Sequence, residues 1–169
     1  MKRIIIFALL ILGVLLVETA ILSNWYILPV VPDLLLIILV YISVHNGCVT
    51  GEVFGFSSGM AIDFLTGSPF GLNALIRSII GFLGGILHFN INTKGIIMPM
   101  LFGAVATLLK AFIIFITSFF YPTGIITYSL FSSHLWYECL FNALLSPPIF
   151  WILSLFTVLS FSYTKENYT

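Results

Sequence analysis

Six apolar stretches, at 4–23, 32–46, 49–66, 69–89, 95–120 and 134–161, take up most of this chain. Such runs constrain the fold more than any motif, because a helix needs about 20 mostly apolar residues to cross the hydrocarbon core of a bilayer. With 60% hydrophobic and 7% charged residues in 169, a soluble domain lacks the means to cover its surface. The expectation is an all-α, polytopic bundle of six transmembrane helices, forming one integral membrane domain over 1–169 among membrane lipids. The zero net charge gives no electrostatic reason for a nucleic-acid partner. The second stretch is short, and the last is long and interrupted by Pro147 and Pro148.

Orientation follows from the cations in the short loops. With the N-terminus in the cytoplasm, Lys2, Arg3, Lys94 and Lys165 all fall inside, while the outer loops 24–31, 67–68 and 121–133 have no Lys or Arg. Removing one span would put Lys94 or Lys165 outside, so both termini are expected in the cytoplasm. The N-terminal run has the charge and apolarity of a signal peptide, but Glu18 stands where small residues precede a cleavage site, so it reads as a retained helix. Trp25, Tyr26, Tyr121, Tyr128, Trp136 and Tyr137 fall near the outer boundaries, where amphipathic rings favour the interface. In the third loop of the chain Gly67 suits a helix C-cap, Ser68 an N-cap and Pro69 a first helical position, which makes spans three and four a tight hairpin.

Gly51, Gly55, Gly59 and Asp63 recur every four residues, and Arg77, Gly81 and Gly85 do the same on the next span. Small residues at that spacing allow close helix contact in lipid, or close approach of a substrate or lipid. Leu36, by contrast, is placed on a lipid face. Charges at membrane depth usually face the protein interior and pair. Asp63 and Arg77, on hairpin neighbours, are expected to pair. Glu18, Asp33, Lys110 and Glu138 fall at similar heights, and Asn142 shares a helix face with Glu138. Simpler readings stay open. Asp33 suits the first turn of a helix, Glu18 and Glu138 the headgroup zone, and Lys110 is long enough to snorkel. Glu52 alone lies at the cytoplasmic edge.

No metalloprotease, nucleophile-elbow, C-x-x-C or P-loop pattern occurs, so no enzyme, metal or cofactor is expected. His45, His88 and His134 stand singly at helix ends, and Cys48 and Cys139 form no metal or redox spacing.

The run "PDLLLIILVYISVHNG", followed by "GEVFGFSSGMAIDFLTGSPFGLNALIRSIIGFLGG", resembles the bacterial rod shape-determining protein MreD family, as does "ECLFNALLSPPIF" with its Asn142. The family pattern maps onto Gly55, Gly59, Asp63, Gly67, Gly71 and Ala74, and with Gly51, Gly81 and Gly85 these glycines are expected to pack helices. The resemblance implies a non-enzymatic inner-membrane component of the cell-elongation machinery, beside the scaffold MreC, the filament MreB and peptidoglycan synthases. It also implies a fold similar to the substrate-binding membrane subunits of vitamin-uptake transporters. From that comes the alternative function, a transport subunit with the outer polar cluster as its pocket.

Overall fold

The computed structural model describes residues 2–18, 30–67, 69–89, 95–118, 120 and 132–156, and for residues 2–5 the backbone only. These residues form α1 (Lys2–Leu16), α2 (Leu34–Asn46), α3 (Cys48–Thr66), α4 (Leu72–Ile86), α5 (Ile97–Ser118) and α6 (Ser133–Ser154). A 3-10 turn at Leu87–Phe89 follows α4, and no strand occurs among the described residues. One described helix, α5, is long and apolar enough on its own to cross a membrane; Ile6–Leu16, Leu34–Asn46 and Leu72–Ile86 are apolar but shorter.

The core is built around α2. Its ten residues from Leu35 to Val44 are all buried, as expected of a helix that is apolar all round. It lies against α3, α4, α5 and α6, with α1 alongside α2 and α3. Leu36 is therefore a core residue, 1% exposed, and not a lipid-facing one. The exposed faces of the other helices carry Val53, Phe56, Phe64, Phe112 and Trp151, an apolar exterior suited to lipid. Phe7 of α1 meets Phe54 of α3 edge to face at 5.6 Å, and Tyr41 of α2 meets Phe150 of α6 at 5.1 Å.

α3 and α4 form the closest helix pair, and glycine makes this possible. A Cβ on Gly55 would collide with the Arg77 carbonyl, one on Gly59 with the Ala74 backbone, and one on Gly85 with the Cys48 backbone. Gly51 and Gly81 face each other's carbonyls in the same way. Gly67 and Gly71 continue the four-residue spacing but serve differently. Both have positive φ, +64° and +90°, and a Cβ on either would meet open space. They are turn residues, because α3 ends at Thr66 and α4 begins only at Leu72. Pro69 consequently lies in the turn, where its carbonyl accepts from Leu72 N at 3.0 Å; Ser68 lies outside the described residues.

The α5–α6 pair uses a glycine that the sequence pattern does not single out. Gly103 lies against Ser146 Oγ and the Asn142 carbonyl. α6 also runs through Pro147 and Pro148 to Ser154, so the prolines do not break it. Just before the prolines, Ser146 Oγ donates to Asn142 O at 2.6 Å. Trp136 and Tyr137 are exposed at the start of α6, whereas Trp25, Tyr26, Tyr121, Tyr128, Lys94 and Lys165 lie outside the described residues.

Candidate functional site: a charge network at the head of the central helix

A helix begins with backbone N–H groups that have no partner inside the helix. α2 begins among other helices, so those groups must be satisfied by protein. The Asp33 N–H donates to Asn142 Oδ1 at 2.9 Å, Leu34 N to Pro32 O at 3.2 Å, Leu35 N to Glu18 Oε1 at 2.9 Å, and Leu36 N to Asp33 Oδ1 at 2.9 Å. Asp33 is thus the N-cap, and two carboxylates and one amide gather where the helix dipole favours negative charge.

A buried carboxylate needs cations, and α4 and α5 supply them. Arg77 Nη2 lies 2.7 Å from Asp33 Oδ1, and Lys110 Nζ lies 2.8 Å from Asp33 Oδ2. Lys110 also reaches Glu138 Oε1 of α6 at 2.7 Å. Asn142, one turn beyond Glu138, donates through Nδ2 to Thr107 Oγ1 of α5 at 2.9 Å while accepting from Asp33 N. One connected network therefore joins α2, α4, α5 and α6, with Glu18 adjoining it from beyond α1. Asp33, Arg77, Glu138 and Asn142 are all buried.

Asp63 stands apart from this network. Arg77 pairs with Asp33 rather than with Asp63, whose carboxylate caps α4 instead. Asp63 accepts from Gly71 N at 3.0 Å, Asn73 N at 3.1 Å, Asn73 Nδ2 at 2.8 Å and Ala74 N at 3.2 Å. The late start of α4 is the cause, since it sets the first N–H groups of that helix opposite Asp63 at 2% exposure.

The C-terminal end of α2 is closed in the same manner. Gly47 N donates to Ser43 O at 2.9 Å, and His88 Nδ1 donates to Val44 O at 2.7 Å. His45 Nδ1 donates to Tyr41 O at 2.8 Å while its ring stacks on Tyr41 at 4.1 Å. His45 and His88 are thus helix-end donors, whereas His134 and Glu52 are exposed. Among the described residues no group of three or more His, Cys, Asp or Glu is set to hold a metal ion, and Cys48 and Cys139 are free thiols.

A cleft of about 230 Å³ opens on the network. Its lining includes Glu18, Asp33, Arg77, Lys110 and Glu138, with apolar walls from Leu15, Val31, Ile62 and Leu65. Thr107 and Asn73 complete the hydrogen bonding without any sequence signal of their own, being uncharged polar residues outside the glycine and charge patterns.

A family model described as rod shape-determining protein MreD matches residues 1–156 of the chain. No curated protein and no solved structure matches it, so the expected likeness to vitamin-transporter subunits finds no support there.

Proposed function

The chain belongs to the rod shape-determining protein MreD family, a family of membrane proteins, and acts in determining rod shape; from that premise we propose how it does so. It works without catalysing a reaction, as a six-span component of the bacterial inner membrane with both termini in the cytoplasm. It binds the scaffold MreC and, through the elongation complex, acts with MreB and peptidoglycan synthases. The match over 1–156 carries this reading, since it covers every described helix. The geometry supports it in one respect: the buried charges are engaged with one another and with helix ends, as suits a rigid body that positions partners.

The test is expression of the chain in a deletion strain, with co-purification of MreC from native membranes. Restored rods and recovered MreC are expected. Restored rods without MreC would remove that partner from the model, and failure to restore rods would remove the role itself. Reporter fusions after Thr66 and after Thr169 should report opposite sides of the membrane, and a periplasmic signal from the second would overturn the topology.

A further inference from the structure

We propose that the cleft beside Asp33 binds a small zwitterionic headgroup, one bearing a primary ammonium and an anionic oxygen, as phosphatidylethanolamine presents. Two groups at the cleft, Arg77 and Glu18, carry the inference. Arg77, 4% exposed, lines the cleft, and its Nη1 is buried with no hydrogen-bond partner. A buried guanidinium nitrogen without an acceptor is unfavourable, and an anionic oxygen is the acceptor that suits it best. Glu18 lines the same cleft; its Oε1 is taken by Leu35 N, but its Oε2 has no hydrogen bond among the described residues.

Charge balance decides against simpler ligands. The lining holds three carboxylates, Glu18, Asp33 and Glu138, against two cations, Arg77 and Lys110. A plain anion would enter a site already in carboxylate excess. A plain cation would leave Arg77 Nη1 unanswered. A zwitterion satisfies both, with its anionic oxygen at Arg77 and its ammonium at Glu18. A primary ammonium offers N–H donors to the carboxylate, and a quaternary one offers none. The walls favour a lipid over a free zwitterion. Val31 and Leu65, 40% and 61% exposed, extend apolar surface from the cleft to the outside of the bundle, where acyl chains would lie.

The experiment is thermal unfolding of the purified full chain in detergent with short-chain phosphatidylethanolamine, phosphatidylcholine or phosphatidylglycerol of one chain length, and with free O-phosphoethanolamine. Phosphatidylethanolamine should raise the unfolding temperature saturably, and the other two lipids should not. Glu18→Gln keeps the acceptor for Leu35 N but removes the charge, and should weaken the effect about tenfold or more. A saturable shift with free O-phosphoethanolamine assigns the site to a soluble zwitterion, and its absence assigns it to lipid; both keep the chemistry. Equal shifts with all three lipids, or an unchanged response in Glu18→Gln, would overturn the proposal. Should Glu18→Gln fail to fold, Val31→Trp, which fills the cleft without touching an ion pair, should abolish the shift, and a retained shift would overturn it. Because the readout needs only the purified chain, its failure would leave the rod-shape role standing.

Discussion

Asp33→Asn isolates the charge at the centre of the network. Asn is as good an N-cap as Asp, so the bond to Leu36 N survives the change. The 2.7 Å and 2.8 Å ion pairs to Arg77 and Lys110 do not. Lys110 keeps Glu138, but Arg77 loses the carboxylate it is paired with while remaining buried. Stranding one partner of a buried pair destabilises by about 3–5 kcal/mol. Arg77→Gln should approach the same loss from the other side. The double variant strands less charge than the two singles together, so a cycle should return a coupling of ~0.5–3 kcal/mol. A parallel cycle of Asp63→Asn with Arg77→Gln should be additive within ~0.5 kcal/mol, because Asp63 is held by the backbone of α4. The assay is unfolding in mixed detergent micelles at fixed composition. Additivity in the first cycle, or coupling of the same size in the second, would refute the assignment of Arg77 to Asp33.

Gly55→Leu should abolish accumulation of folded protein, since even a Cβ collides with the Arg77 backbone, while Val53→Ala at 61% exposure should change stability by less than ~0.5 kcal/mol; immunoblots and unfolding curves check both. Leu36→Ala should destabilise by about 2–5 kcal/mol in the same unfolding assay, as expected of a core leucine and not of a lipid-facing one. Asp63→Ala removes an α4 cap that takes three backbone N–H groups, and should cost about 2 kcal/mol, with faster amide exchange at Gly71, Asn73 and Ala74 as its signature. Asn142→Leu leaves Asp33 N and Thr107 Oγ1 without their present partners, and should cost about 1–3 kcal/mol by unfolding in micelles.

What could be read from the residues was governed by local periodicity, and what could not depended on distant packing. The five glycines at 51, 55, 59, 81 and 85 carry their meaning in their spacing, because one helix face is fixed by sequence alone. The same spacing misleads about packing at Gly67 and Gly71, where it persists after the helix has ended, although Gly67 is the α3 C-cap that its turn chemistry indicates. Asp63 and Arg77 lie on hairpin neighbours, which makes their pairing the obvious guess. The start of α4, three residues after Pro69 and later than turn chemistry suggests, gives Asp63 a backbone partner instead. Asp33 and Arg77 are 44 residues apart, and their meeting depends on how α2 sits against α4, which no local pattern encodes. The placement of Leu36 fails for a related reason: α2 has no polar face, so its sequence gives no direction that could tell lipid from protein.

The polar network sits at one end of the bundle for a reason that begins with length. At about 1.5 Å per residue the 13 residues of α2 reach about 20 Å, well short of a hydrocarbon core of ~30 Å. A helix that short, buried on every face, cannot bring both ends to water, and in lipid its end groups must be satisfied inside the protein. Asn142, Glu18 and Asp33 answer the N-terminal donors, while Gly47 and His88 answer carbonyls at the other end. The acids that suit the N-terminal dipole then require cations, which Arg77 and Lys110 supply from two further helices. Lys110 in turn engages Glu138, one turn from the same Asn142 that began the chain of bonds. Each polar residue is thus called for by the one before it, starting from a central helix whose first turn is enclosed by protein. Moving α6 away from α2 would uncover the Asp33 N–H and strip Lys110 of a carboxylate together, so the helices around α2 should respond to a partner as one body.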